Sequence, residues 1–183
     1  MKLKLFAVLA ALAATLSLAA PASAQVYSFA ATLTGASETP PVATNAGGSA
    51  LVTFDAGASS VSVMEWFFDL TTPATASHIH CCTTTPLTGT APVALGFTGF
   101  PSATTGTYSN TFTLSAASFT SLLNGSLAGK SYVNIHNATY PGGEIQGFLH
   151  LVAFAVPEPS TYALMLAGVA VVGWAARRRR HGG

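Results

Sequence analysis

Apolar residues alternate with small or polar residues along the middle of the chain. Tyr27, Phe29, Ala31 and Leu33 occupy one parity of the first such run. Residues two apart point to the same face of a strand, so this alternation predicts strands with one buried face. Residues 25–155 are also rich in Thr, Ser, Gly, Ala and Val and are punctuated by Gly and Pro, as in chains of short strands joined by turns. The pattern predicts an all-β domain, an antiparallel β-sandwich or a small barrel.

The individual elements follow from the same reading. Strands are predicted at 27–33, 48–55, 60–70, 76–81, 105–115, 130–137 and 143–152. The run 60–70 is apolar on both parities, which predicts a strand buried on both faces or one that contains a bulge. One stretch, 116–124, has helical spacing and Gly125 as its natural end. Long loops are predicted at 83–92 and 96–106.

The amino end has the composition of an export signal. Lys2 and Lys4 precede an apolar stretch, and Ala22-Ser23-Ala24 then provides a small-x-small cleavage site. This order predicts a secretory signal peptide over residues 1–24, with the mature chain starting near Gln25. An uncleaved membrane anchor is the alternative.

The carboxyl end has three parts in a fixed order. The motif Pro157-Glu158-Pro159 is followed by an apolar run over 162–176 and then by four arginines, Arg177, Arg178, Arg179 and Arg180. The fifteen residues of that run would span about 22 Å as a helix, against roughly 30 Å of hydrocarbon, so flanking residues would have to complete a transmembrane helix. The arginine cluster should stay cytoplasmic, which leaves the domain outside that membrane.

This tripartite end resembles the PEP-CTERM sorting signal of Gram-negative bacteria and covers residues 156–183. The resemblance implies recognition by an exosortase-type membrane protease, at least transient membrane attachment, and removal of the helix. It also implies export across the inner membrane to the cell envelope or the exopolysaccharide matrix. A plain tail anchor is the alternative.

The charge of the domain excludes one class of partner. Residues 25–155 contain one basic residue, Lys130, and five acidic residues, which leaves a formal charge of −4 before any histidine charge. The acidic residues are Glu38, Asp55, Glu65, Asp69 and Glu144. Nucleic-acid binding requires a basic surface, so no nucleic-acid partner is expected.

Three stretches of the domain carry a family resemblance. They are LTGASETPPV at 33–42, His78-Ile79-His80, and YVNIH at 132–136 together with YPGGEIQG at 140–147. Their order and spacing resemble the CHRD domain, over about 29–151. The resemblance implies a β-sandwich of immunoglobulin-like or superoxide-dismutase-like character with no established catalytic activity. This chain has Cys81-Cys82 where family members often continue with Gly-Pro.

Three histidines are candidates for a metal site. His78 and His80 are two apart on one strand and therefore share a face. If Ile79 and Ile135 face the core, His136 faces outward with them. Neighbouring strands lie about 4.8 Å apart and a metal needs nitrogens at about 2.0–2.1 Å, so adjacent strands would let the three imidazoles converge. Three imidazoles suit copper or zinc and leave a position open for water or a fourth ligand.

Glu144 and the Cys81 thiol are candidates for that fourth ligand. The alternative interpretation gives the histidines no metal: they hydrogen-bond across strands or to the turn at 141–143. Cys81 and Cys82 are the only cysteines, so an intramolecular disulfide could only be vicinal. Export to an oxidising compartment favours that disulfide, with metal ligation and intermolecular pairing as alternatives.

The HxH motif and the segment GGEIQGFL are also similar to copper–zinc superoxide dismutase. An enzyme of that type needs four copper-binding histidines, a bridging imidazole with a zinc subsite and a guiding arginine. Residues 25–155 contain only four histidines and no arginine, so dismutase activity is not expected. The sequence predicts an exported, non-catalytic structural or binding module with exopolysaccharide or envelope proteins as partners. The alternative is a copper- or zinc-binding or redox-active envelope protein.

Overall fold

The computed structural model describes residues 25–155 and six residues near the carboxyl terminus, at 168–169, 171–172 and 177–178. The predicted signal peptide at 1–24, the motif at 157–159, Arg179 and Arg180 lie outside the described residues, as does most of the predicted transmembrane helix at 162–176. The six residues near the terminus are helical. No helix among the described residues is long and apolar enough to cross a membrane.

The domain is a single antiparallel sheet with one α-helix, as far as the described residues extend. The strands are β1 (Val26–Thr34), β2 (Gly47–Asp55), β3 (Ser60–Phe68), β4 (Ala74–Cys81), β5 (Val93–Gly96), β6 (Gly106–Thr113), β7 (Ser131–Asn137), β8 (Ile145–Phe148) and β9 (His150–Ala155). A 3-10 turn covers Gly35–Ser37, and helix α1 covers Ala116–Leu127. The sheet order is β5-β4-β7-β8-β1-β2-β3-β6, and β9 pairs with β1. The predicted antiparallel all-β domain is confirmed.

The sheet curls so that its two halves face each other across one core. Strand β1 pairs with β8 only at Thr34 and with β9 over most of its remaining length. The predicted strand 143–152 is thus divided into β8 and β9, with Leu149 between them. Fully buried apolar side chains from both halves, including Phe54 of β2 and Ile135 of β7, form the core. Facing halves of this kind explain how β3 and β4, far apart in the sheet order, come into contact.

A buried carboxyl joins those two strands. The Ser77 hydroxyl on β4 donates to the Asn134 carbonyl oxygen at 2.9 Å and lies 3.0 and 3.2 Å from the Glu65 carboxyl oxygens. Burial raises the pKa of Glu65 to about 8, so Glu65 is protonated at neutral pH. A hydroxyl has one proton, so the protonated Glu65 donates to the Ser77 oxygen while Ser77 donates to Asn134. Every proton in this chain therefore has an acceptor.

One sequence prediction about β3 was wrong, and one strand, β5, was not predicted. Strand β3 is not buried on both faces and has no bulge: it pairs in unbroken register with β2 and β6, and Met64 and Trp66 are 58% and 48% exposed. Strand β5 has only four residues, and Leu95 is its one buried side chain. A strand this short shows too little periodicity to be recognised in the sequence.

Glu65→Gln should remove part of the pH dependence of stability. A carboxyl with a pKa of about 8 when folded and about 4.5 when unfolded is protonated in the fold and ionised in the unfolded chain between those values. The contribution of the Glu65 carboxyl to the free energy of unfolding is complete below pH 4.5 and is lost as pH rises through 8. Between pH 5 and 8 we expect the free energy of unfolding of the wild type to fall relative to Glu65→Gln, by on the order of 4 kcal/mol. Urea titrations across this range measure the difference, and parallel profiles would contradict the assignment.

Candidate metal centre

The three predicted histidines come from two strands that are direct neighbours. Strands β4 and β7 pair in antiparallel register with His78 opposite Asn134. Ile79 and Ile135 are fully buried in the core. Because side chains alternate across a strand, His78, His80 and His136 all project from the opposite face. The structure therefore brings together the three residues that the sequence nominated.

The geometry of the cluster is close to that of a metal site. One ligand nitrogen from each of the three rings lies within 4.8 Å of the others. The ring centroids of His78 lie 4.9 Å from His136 and 5.7 Å from His80, and those of His80 and His136 lie 6.2 Å apart. Two nitrogens on one tetrahedral ion are about 3.4 Å apart. Closing the cluster around an ion thus needs ring movements on the order of 1 Å.

His80 is oriented by its neighbours with one nitrogen left open. Its Nδ1 lies 2.7 Å from the carbonyl oxygen of Ala91, and a carbonyl can only accept, so Nδ1 carries the proton. The Tyr132 ring stacks on the His80 ring at 4.7 Å, and its hydroxyl accepts from the Ala91 amide. The His80 Nε2 lone pair is buried without a partner. Metal-binding histidines usually donate their other ring N–H to an acceptor such as a backbone carbonyl, which fixes the orientation of the ring.

Burial disfavours the charged forms of His78 and His136, which complete the cluster. Burial and then the two neighbouring histidines lower the pKa of His78 to about 4, and its Nδ1 is buried without a partner. Burial is the main cause that lowers the pKa of His136. His136 Nδ1 lies 2.9 Å from the Pro141 carbonyl oxygen, and its Nε2 lies 2.9 Å from Asn134 Oδ1. Neutral imidazoles are the form that binds metals.

Unpartnered polar atoms concentrate beside the histidines. Five buried side-chain N or O atoms in the described part of the chain have no hydrogen-bond partner: Glu38 Oε1, His78 Nδ1, His80 Nε2, Gln146 Nε2 and Ser131 Oγ. Gln146 lies directly opposite Asn134 in the β7/β8 register, and Glu38 Oε1 and the Asn134 amide both lie against Gly143. Burial raises the pKa of Glu38 to about 7. Four of the five unpartnered atoms thus belong to the histidines or to residues that surround Asn134.

The sequence did not nominate Glu38 or Gln146. Both lie in the motifs that carry the family resemblance, ASETPP and GGEIQG, so motif membership was the available signal. Their burial was not readable from the alternation pattern.

The structure does not bring Glu144, a predicted candidate for the fourth ligand, into the histidine cluster. Its carboxylate is fully buried and accepts hydrogen bonds from the Thr44 and Thr71 hydroxyls, each at 2.6 Å, from the Thr71 amide at 3.0 Å, and from the Asn137 side chain. These donors come from three separate segments, so Glu144 ties two loops to the end of β7. The carboxylate does not belong to the histidine cluster.

The sulfur of Cys81 is bonded to that of Cys82, as in the vicinal disulfide that the sequence favoured, so Cys81 is not available as a thiolate for the alternative of metal ligation. Both sulfurs lie so close to Gly125 of α1 that a Cβ at that position would collide with them. Helix α1 continues through Gly125 to Leu127, so the prediction that the helix ends at Gly125 was wrong. Glycine is needed at this position for the close approach of the cystine. His150, at the start of β9, is exposed and does not belong to the cluster.

Two family models match the chain. The model described as the CHRD domain matches residues 29–149, and the model described as the PEP-CTERM protein-sorting motif matches residues 155–180. No curated protein and no solved structure matches the chain.

Gly125→Ala should destabilise the domain, although Gly→Ala within a helix usually stabilises by about 1 kcal/mol. The added methyl group would meet both cystine sulfurs, and overpacking of this kind costs about 1–3 kcal/mol. Asn124→Ala, at the exposed neighbouring position, is the matched control and should stabilise by a few tenths of a kcal/mol, about 0.5 at most. Urea denaturation of the oxidised proteins measures both changes. Equal stabilisation by the two variants would disprove the contact.

Proposed function

The chain belongs to the CHRD-domain family and carries a PEP-CTERM sorting motif, and on this premise we propose that it is a non-catalytic envelope or matrix protein that binds one copper or zinc ion. The ligands are His78, His80 and His136. The curled sheet with its halves packed face to face supports an immunoglobulin-like or dismutase-like sandwich as the scaffold.

The sorting motif implies export and processing by an exosortase at the envelope of a Gram-negative bacterium. In the proposal the signal peptide at 1–24 directs export, and the segment 162–176 holds the chain in the membrane until the exosortase removes it. The domain is then delivered to the envelope or the exopolysaccharide matrix. The metal site lies on the exported side throughout.

One observation carries the metal-binding proposal: three imidazoles converge, and two of their nitrogens are buried without partners. An unpartnered buried polar atom costs about 1–3 kcal/mol. Coordination to one ion would satisfy both His78 Nδ1 and His80 Nε2 and would recover that cost. Imidazole nitrogen is a preferred ligand of copper and zinc, and a three-histidine site leaves one position for water.

A second candidate function is polysaccharide binding by the outer face of β9, β1, β2, β3 and β6. This face forms an open groove of about 850 Å³. Trp66 is exposed on its β3 strand, and the hydroxyl residues Ser49 and Thr107 lie directly opposite it on the two neighbouring strands. Among the described residues that line the groove, Glu65 is the only Asp, Glu, Lys or Arg, and its carboxyl is buried against Ser77. An uncharged surface of aromatic and hydroxyl groups suits a neutral sugar chain.

Metal analysis of the full chain, purified in detergent and loaded with copper or zinc, tests the first proposal. We expect one ion per chain, lost in the His78→Ala/His80→Ala double variant because two of three ligands are gone. His150→Ala, which removes an exposed histidine outside the cluster, is the control and should retain the ion. An absent ion, or an ion retained by the double variant, would refute the site.

Affinity electrophoresis through gels containing neutral or acidic polysaccharide tests the second. Trp66→Ala should abolish retardation by the neutral polymer, since the ring is the main exposed contact. Leu127→Ala removes a similarly exposed apolar side chain from α1 and should leave retardation unchanged. Retardation that survives Trp66→Ala, or occurs only with the acidic polymer, would count against this face.

A further inference from the structure

We propose that Asn134 sets the metal affinity of the three-histidine site by holding His136 in the tautomer that cannot bind the ion. Gln146 takes over the Asn134 carbonyl oxygen when the ion binds. This inference rests on the proposed metal-binding function and assigns Asn134 and Gln146 as positioning residues of that site.

His136 has two hydrogen-bond acceptors competing for it. The Pro141 carbonyl oxygen lies 2.9 Å from Nδ1, and Asn134 Oδ1 lies 2.9 Å from Nε2. A neutral imidazole, the form that binds a metal, has a single ring proton. Only one of the two contacts is therefore a hydrogen bond at any moment.

The two tautomers differ in their ability to bind a metal. Asn134 lies opposite His78 in the β4/β7 register, so Nε2 is the His136 nitrogen on the side of the cluster. With the proton on Nε2, His136 donates to Asn134 and presents no lone pair to the cluster. With the proton on Nδ1, His136 donates to Pro141, and its Nε2 lone pair is free for the ion. Asn134 thus stabilises the form that excludes the metal.

The second tautomer leaves the Asn134 oxygen without a donor, and Gln146 is placed to supply one. Asn134 and Gln146 are only 2% and 1% exposed, so bulk water does not reach them freely. They are direct partners in the β7/β8 register, and Gln146 Nε2 is buried without a partner. A hydrogen bond from Gln146 Nε2 to Asn134 Oδ1 would satisfy both atoms in the metal-bound form.

The exchange is balanced in protons. The Nε2 proton of His136 leaves to solvent, and one proton binds Nδ1, so the ring stays neutral and the net uptake is zero. The ion then accepts the Nε2 lone pair. The hydrogen bond from His136 to Asn134 is replaced by one from His136 to Pro141 and one from Gln146 to Asn134.

Zinc affinity of the full chain in detergent, measured by competition with a chromophoric chelator, provides the test. Asn134→Leu removes the competing acceptor while keeping the number and branching of the side-chain heavy atoms, and it should raise zinc affinity roughly tenfold, the equivalent of one hydrogen bond. Gln146→Leu removes the donor that supports the bound form and should lower zinc affinity by a similar factor. Circular dichroism and melting curves establish that each variant is folded.

Nitrogen-15 spectra of the wild type supply a readout that a purely structural role would not change. His136 should be protonated on Nε2 without metal and on Nδ1 with zinc, and the Gln146 side-chain amide should shift when zinc binds. Zinc binding with a wild-type or weaker affinity in folded Asn134→Leu, or with no shift at Gln146, would overturn this inference and leave the metal site intact. A chain that binds no zinc would overturn both.

Discussion

The pairing of β4 with β7 is the constraint on which the candidate site depends. Its register sets Ile79 and Ile135 into the core and, by alternation, turns His78, His80 and His136 to the other face. A slip of one residue would exchange these faces, which would bury imidazoles in the core and expose the isoleucines. The burial of the isoleucines therefore also fixes the positions of the histidines.

Two buried carboxyls stabilise the elements around this pair by different means. Glu144 accepts from four donors and joins the loops at Thr44 and Thr71 to the end of β7, close to the turn whose Pro141 carbonyl meets His136. Glu65 is held protonated and joins β3 to β4 through Ser77. The network around Asn134, by contrast, contains two of the five buried unpartnered side-chain atoms of the described residues, Glu38 Oε1 and Gln146 Nε2. Glu65 and Glu144 have hydrogen-bond partners, whereas Glu38 and Gln146 beside the histidines each have an atom without one. This difference distinguishes the histidine-bearing face of β4 and β7.

Much of the fold could be predicted from the sequence because period-two alternation reports directly on which face of a strand is buried. The same reasoning put the three histidines on one face, and adjacency of β4 and β7 was the only missing fact. Alternation could not show that Trp66 faces outward. The run 60–70 is apolar at both parities, so the pattern does not distinguish the face in the core from the exposed face. Alternation also could not show that Gly125 lies inside a helix. A glycine is needed there because the Cys81–Cys82 disulfide, from a strand distant in sequence, approaches it closely. Glu144 looked like a ligand because its four donors come from residues remote in sequence.

The central claim is that three imidazoles from β4 and β7 hold one ion, and the metal's coordination shell tests it most directly. X-ray absorption spectroscopy of the copper- or zinc-loaded full chain measures the identity and distance of the ligand atoms. Three histidine nitrogens at about 2.0–2.1 Å, with no bound ion left in His78→Ala/His80→Ala, is the predicted result. A sulfur ligand at about 2.3 Å, or a shell without multiple imidazoles, would contradict the account.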